Sequence, residues 1–397
     1  MKTIAIIGGG PAGIMAAIKA ASKPNSQVIL IEKNNSLGKK LLLTGGGRCN
    51  ITNLCDIDIF LDNIKTNPNF MYSSYYTFPP ESLIDFFEEK GIRFVVENGR
   101  VYPSSHKSED ILAALEAKLS DLNVKILLSA EVEKISADKI ITIRNHKKIK
   151  ADSIVIATGG LSYPSTGCSG DGFKFAKAMG HRVTPLYPSL TSIQLQENVE
   201  SLAGISLKNI GLTAKSAEGK TLYKKNGELL FTHKGISGPV AICASRHLIG
   251  EQKAKVFIDM STYIDEEILF DVFSSNQNKA VINALESLLP KKLLQFVFSQ
   301  IGLEPDKKVN IFTKEERNIL IGAIKELELS VSKLGGFNEA IVTSGGVNVS
   351  EINPSTMESK LIEGVFFAGE VIDVDGYTGG FNLQIAFSTG VLAGLSV

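Results

Sequence analysis

Residues 3–13 read Thr3-Ile4-Ala5-Ile6-Ile7-Gly8-Gly9-Gly10-Pro11-Ala12-Gly13, and Glu32 closes a second apolar run, Val28–Ile31. A strand, a glycine turn, a helical stretch over Ile14–Ala21 and an acid about 20 residues on make up the fingerprint of a dinucleotide-binding βαβ unit. Gly8 permits the tight turn. Gly10 lets the backbone approach a pyrophosphate, and Gly13 lets the helix pack close to the strand. The helix start offers free N–H groups and the positive end of its dipole to the phosphates. Glu32 is placed to accept hydrogen bonds from an adenosine ribose. The same carboxylate repels a 2′-phosphate, so the pattern predicts FAD or NAD rather than NADP.

The 397 residues exceed one ordinary domain, and predict two or three at about 150 residues each. Lysine plus arginine equals aspartate plus glutamate at 42 each, so the chain as a whole has no pull toward nucleic acid or an anionic membrane. Cys49, Cys55, Cys168 and Cys243 show neither a C-x-x-C pair nor a zinc spacing, which predicts no metal and a reducing, cytoplasmic setting. The uncharged stretch after Lys2 resembles a signal peptide, but the glycine-proline turn breaks it and the fingerprint explains its apolarity. No run reaches the roughly 18 apolar residues of a membrane span.

The texture changes along the chain. Helical patterns fall at 80–90 and 108–119, the second with Ser108 as its expected N-cap, and Val/Ile-rich strands at 124–135, 139–144 and 149–157. Alternating stretches with turns at Glu218-Gly219, Asn226-Gly227 and Lys234-Gly235 predict a small antiparallel sheet or barrel. Apolar residues at helical spacing follow, with a break at Pro290. Strand-and-glycine texture then returns, ending in a helix pattern over Leu383–Leu395. The expected architecture is an α/β, Rossmann-like FAD-binding domain (1–186 and 336–397) interrupted by a β-barrel-like subdomain (187–264) and a helical subdomain (265–335).

Three further glycine stretches carry chemistry. Thr44-Gly45-Gly46-Gly47-Arg48-Cys49-Asn50 is a loop that can bring N–H groups to a ligand. Arg48 suits a phosphate or a substrate carboxylate and Asn50 a ring carbonyl, unless Arg48 simply pairs with a local acid. Ala157-Thr158-Gly159-Gly160 ends a strand where the ligand crevice of such sheets opens. Phe367-Ala368-Gly369-Glu370 ends another strand, and Gly379-Gly380-Phe381-Asn382-Leu383-Gln384 begins the last helix. That helix start can face the flavin C2 carbonyl and N1, where negative charge grows on reduction. Asp171, in Ser169-Gly170-Asp171-Gly172, reads as a cap. His233 and Lys234 read equally as turn residues or as substrate contacts. Drawn Ser–His–Asp or Cys–His combinations have no motif context, which excludes hydrolase chemistry.

Over essentially its whole length the chain resembles a family of bacterial NAD(P)/FAD-dependent oxidoreductases that includes bile-acid dehydro-reductase-like and aminoacetone-oxidase-like flavoproteins. The resemblance rests on GGGPAG at 8–13, LLLTGGGRCNITN at 41–53, RVYPSSHKSED at 100–110, ATGGLSYPSTGCSGDGF at 157–173, FTHKGISGP at 231–239 and FAGEVIDVDGYTGGFNLQ at 367–384. It implies that Glu32 and Lys33 flank the adenosine ribose and that Val132 meets adenine through its backbone. It also implies that Gly369-Glu370 and Asn382-Leu383 lie by the ribityl chain and flavin ring. The full set expected at the cofactor adds Pro11, Ala12, Lys40, Gly46, Cys49, Ala157, Thr158, Gly159, Gly380 and Phe381.

The function expected is hydride transfer between flavin N5 and a small organic substrate, with NAD(P)H as donor. No second fingerprint follows a strand, so a nicotinamide would dock transiently, at a cleft between the FAD and insertion domains. The rivals are an oxygen-dependent amine oxidase and a non-catalytic flavin-binding protein. Catalytic residues are not assigned; Tyr163, Cys49, His233 and Tyr377 are the first candidates. Substrate identity, proton donor and oligomeric state are not legible.

Overall fold

The computed structural model describes residues 1–144 and 148–397. The chain divides into two compact units, Met1–Pro188 with Ala340–Val397, and Ser189–Glu339.

The first unit is built on a parallel sheet of five strands. Their order is Val365–Phe367, Ser153–Ile156, Lys2–Ile7, Ser26–Ile31 and Lys125–Leu127. The opening strand lies between Ser26–Ile31 on one side and Ser153–Ile156 on the other, with Ile7 opposite both Ile31 and Ile156. Their central stretches, Ile4–Ile7, Val28–Ile31, Ile154–Ile156 and Val365–Phe367, are apolar and buried because both faces are covered, as parallel sheets require. The fingerprint helix spans Pro11–Ala21, three residues longer at its start than the periodicity suggested, with proline in its first turn. Proline fits there because the first N–H groups of a helix lack partners in any case.

The terminal helix, Phe381–Ser396, is buried along most of its length. A Cβ built on Gly390 would sit 2.3 Å from the Ala12 carbonyl oxygen, and one on Gly394 2.5 Å from that of Ala16. Two positions four apart therefore meet two positions four apart, in the same direction. The helices run parallel at glycine-limited distance, so both begin at the same end of the sheet.

Two three-stranded antiparallel sheets also belong to this unit. One joins Thr52–Asn53, Arg100–Pro103 and Phe94–Glu97. The other joins Val132–Ile135, Ile140–Ile143 and Lys148–Lys150. The helix Ser108–Asp121 is capped by Lys107 rather than Ser108. Ser108 instead donates to the Leu42 carbonyl at 3.0 Å, a partner that competes with local capping. Asp171 likewise is the first residue of its helix, Asp171–Ala178, and not its cap, which is Gly170.

The second unit holds a closed antiparallel barrel of six strands. In order they are Ile193–Leu195, Gly235–Ser237, Thr221–Thr232, Ser206–Lys215, Lys255–Asp259 and Leu327–Leu334. Four α-helices lie between the last two in sequence: Glu266–Ser275, Val281–Leu285, Lys291–Ile301 and Lys314–Lys325. Pro290 caps the third of these. The strand Leu327–Leu334 falls within the span read as helical, and barrel and helices share one apolar core. Among the described residues no helix is long and apolar enough to cross a membrane.

A buried polar link in the first unit responds to pH. The His181 side chain is fully buried, with Nε2 2.8 Å from Ser359 Oγ and Nδ1 3.2 Å from Glu351. Burial holds its pKa below the usual histidine value, although Glu351 works the other way. The unfolded chain therefore binds a proton more readily than the native one below about pH 6.5, and native stability falls as pH drops through that region. Denaturant unfolding at pH 7.0 and 5.5 is expected to show a loss that His181→Gln reduces. Gly390→Val is expected to lower stability by about 1–3 kcal/mol or more by forcing the two helices apart, measured by thermal unfolding.

Candidate functional site

The carboxyl ends of the parallel strands open into a cavity of about 1310 Å³, its mouth included, lined wholly by residues of the first unit. It runs from Glu32, Lys33 and Val132, past the Gly8–Ala12 turn, to Asp375, Asn382 and Leu383.

The glycine turn is built as the fingerprint demands. Gly8 has φ +107°, and a Cβ there would stand 2.4 Å from the Ala157 oxygen. A Cβ on Gly13 would stand 1.9 Å from the Gly8 oxygen. Gly10 is different: nothing lies within 4 Å of its Cβ direction, which leaves its backbone open toward the cavity. Glu32 holds the turn in place. Its Oε2 accepts from the Gly9 N–H at 2.7 Å, and its Oε1 accepts from the Asn34 N–H at 2.7 Å and from Asn34 Nδ2 at 2.8 Å. A carboxylate has about four acceptor sites, so Oε2 keeps one for a ribose hydroxyl. Lys33 is anchored by Asp171 at 2.8 Å and also reaches Ser169, which leaves its cation beside the cavity without a free swing. This pairing and the Ser169 hydrogen bond overcome burial and pull the Asp171 carboxyl down to about 2.

Midway along the wall, four chain segments meet at Glu370. Lys40 Nζ donates to its Oε2 at 2.6 Å and to Ser162 Oγ at 3.0 Å. The Ser162 hydroxyl and the Thr343 N–H donate to Oε1 at 2.7 and 2.8 Å. Burial disfavours both charges, but the pairing wins: Lys40 is held above its ordinary pKa and Glu370 below its own. The pair stays ionised through the neutral range. Lys40 has three N–H donors, and two are used here.

At the far end, the start of the terminal helix is fixed by Thr52, Asn53 and Phe78. Gln384 accepts from the Thr52 hydroxyl at 2.7 Å and donates to the Phe78 carbonyl at 2.8 Å. Asn53 donates to the Gly379 carbonyl at 3.0 Å. A Cβ on Gly380 would lie 2.3 Å from the Thr52 carbonyl carbon. The motifs at 41–53 and 367–384 are thus one construction, the first holding the helix start of the second.

Not every expected residue reaches the cavity. Gly8, Gly10, Pro11, Ala12, Glu32, Lys33, Lys40, Val132, Ala157, Thr158, Gly159, Gly369, Glu370, Asn382 and Leu383 line it. Gly13, Gly46, Arg48, Cys49, Asn50, Gly380 and Phe381 do not stand in its wall. Arg48 stacks on Tyr102 at 4.6 Å and faces Glu97 at 3.6 Å, the local pairing that was the alternative to a phosphate contact. Asn50 Oδ1 accepts from the Val101 N–H at 3.2 Å and so ties its loop to a strand. Cys49 is buried, and desolvation pushes its thiol up to about 12, so no thiolate is present near neutrality. The Asn382 amide clamps the Gly376–Tyr377 backbone with three hydrogen bonds. Tyr377 is buried beneath Lys65, 4.5 Å from its ring centre. Tyr163 adopts φ +52° at the start of a turn, and His233 lies exposed in the second unit. Missed by the sequence reading were Thr44, Val342 and Asp375, none of which sits at a position the fingerprint defines.

The cavity fits an extended dinucleotide. Gly10 leaves a cradle that a side chain would fill, and the Thr158 hydroxyl is buried in the wall without a hydrogen-bond partner. Fold and cavity together suit a dinucleotide bound at the carboxyl ends of a parallel sheet. The chain belongs to the HI0933-like protein Rossmann domain family, whose pattern matches residues 2–396. It is 31% identical over 406 residues to a 3-dehydro-bile acid delta(4,6)-reductase of Clostridium scindens, covering 99% of this chain and 98% of that one. It is also 31% identical to ribosomal RNA dihydrouridine synthases of Haemophilus influenzae (99% and 97% covered) and Escherichia coli (97% and 95% covered). The 3-ketosteroid-delta4-(5alpha)-dehydrogenase of Rhodococcus jostii RHA1 shares the fold, with a TM-score of 0.50 at 16% identity over 99% of this chain and 96% of that one.

Lys40→Met strands the Glu370 carboxylate in the wall. Breaking such a pair from one side costs about 3–5 kcal/mol when fully buried; here the side chains are 23% and 20% exposed, so less is expected. The double variant Lys40→Met/Glu370→Gln is expected to be more stable than Lys40→Met alone in urea unfolding of the cofactor-free protein.

Proposed function

We propose that the protein is an FAD-dependent reductase, fed by a reduced nicotinamide, of a carbon–carbon double bond conjugated to a carbonyl. The observation that carries this reading is the single cavity wall that begins at the glycine turn and Glu32 and ends at a helix start. The relatives' names support the substrate side: reduction of a 3-oxo Δ4,6 system and of uracil to dihydrouracil are one chemistry on two scaffolds. A bound, reduced flavin supplies a hydride from N5.

The chain's own residues bind and orient. The open backbone at Gly10 and the start of helix Pro11–Ala21 receive the phosphates, with the third donor of Lys40 directed to the same stretch of wall. Glu32 receives the adenosine ribose. The start of the terminal helix presents its positive dipole end at the opposite limit of the cavity, where it favours negative charge on a reduced ring. Equal numbers of acidic and basic residues favour a small molecule over a polyanion as substrate.

Gly10→Val is expected to purify without the yellow colour and without bound FAD, read by absorbance; stoichiometric FAD in that variant would refute the cradle. Stopped-flow reduction with NADH and NADPH, then reoxidation by an α,β-unsaturated ketone, tests the reaction. Small primary amines serve as rival reductants, and uridine-containing RNA as a rival acceptor. Rapid reduction by a nicotinamide followed by enone reoxidation is expected. A flavin reduced by amines alone overturns the reading.

A further inference from the structure

The cavity wall contains a buried carboxylate that neither the fingerprint nor the Glu370 cluster uses. Asp375 is 1% exposed, yet it lines the cavity beside Val374, Asn382 and Leu383. Its position is set from several sides. Oδ1 accepts from the Thr66 hydroxyl and, at 3.2 Å, from the Ser344 hydroxyl. Its backbone carbonyl accepts from the Lys65 N–H at 2.7 Å. The next peptide is gripped on both sides by the Asn382 amide, with Gly376 N–H to Oδ1 at 3.0 Å and Nδ2 to Gly376 O at 2.8 Å. Asn382 belongs to the first turn of the terminal helix. The backbone beside the carboxylate is therefore tied to the same helix start that closes the far end of the cavity. It shares no supporting segment with Glu32 at the other end, whose partners are Gly9 and Asn34.

A carboxylate removed from water is costly unless its surroundings compensate, and hydroxyls that donate to it are part of that compensation. Set into the wall of a redox cofactor's cavity, that charge opposes the addition of electrons to whatever ring lies there. The helix start acts in the opposite sense. We propose that Asp375 is a positioning and tuning residue of the flavin: it sets the reduction potential from the wall, with Thr66 and Ser344 grading how much of its charge the ring feels. This rests on the reading of the cavity as the FAD site.

The test is a measurement of midpoint potential on FAD-loaded protein, using enzymatic reduction in the presence of a reference dye. Asp375→Asn keeps the shape and the acceptor oxygen while removing the charge, and is expected to shift the potential to a more positive value. Ser344→Ala keeps the carboxylate and removes one donor, and is expected to shift it to a more negative value. Asp373→Asn, two residues away and outside the cavity wall, serves as the control and is expected to leave the potential unchanged. Shifts of opposite sign in the first two variants support the inference. An unchanged potential in flavin-loaded Asp375→Asn overturns it, as does a shift of the same sign in both. If Asp375→Asn fails to hold FAD, Ser344→Ala decides: no shift there overturns the inference. A native protein that binds no FAD fails the cavity reading itself, a separate result.

Discussion

The close parallel contact between helices Pro11–Ala21 and Phe381–Ser396 is the constraint on which the site depends. Gly390 and Gly394 allow the second helix to rest on the backbone at Ala12 and Ala16. A side chain at either glycine would push the helices apart. Because they run in the same direction, both offer unpaired N–H groups and a positive dipole end at the same edge of the sheet. A Cβ on Gly369 would also meet Ala12, at 2.7 Å, so the strand end that carries Glu370 is seated against the same helix. Turn, strand end and helix start thus share one packing surface. The cavity is an outcome of that packing, built before any ligand enters.

Electrostatically the wall is arranged in alternation. Lys33 is tied to Asp171, Lys40 to Glu370, and Asp375 stands near a helix N-terminus. Among the described residues, no large patch of one sign lines the cavity. On the proposed reading, the phosphates fall to backbone N–H groups and to unused donors on fixed cations. Such donors need no rearrangement on binding, which reduces the ordering that association demands. The barrel unit contributes none of this wall.

Much of the fold was legible because its signals were local. The opening turn, the Glu218-Gly219 turn within the barrel and the helix start near Phe381 follow from spacing and turn chemistry within a few residues, whereas Asn226-Gly227, read as a turn, lies inside strand Thr221–Thr232. What escaped was non-local. Ser108 left its capping position for the carbonyl of Leu42, sixty-six residues away. The strand Leu327–Leu334 gained its identity from partners at Ile193–Leu195 and Lys255–Ile258, while its own residues sit directly after a helical pattern. Arg48 looked like a ligand contact from its glycine neighbours and turned out to answer Tyr102 and Glu97. Asp375 was invisible for the opposite reason: a lone acid in a Val-Asp-Gly stretch reads as a turn until the tertiary structure buries it.

The placement of the barrel unit within the chain has a consequence for synthesis. Strand Leu327–Leu334 completes the barrel while Val365–Phe367 and the terminal helix have not yet emerged. Domains generally fold as units during synthesis. The inserted unit can therefore be finished while its host still lacks an edge strand and the helix that rests on Ala12. Through that interval Gly8 to Gly13 exist as a turn without a cavity. The pocket is complete only once Ile341 to Ala386 have been made, after the inserted unit.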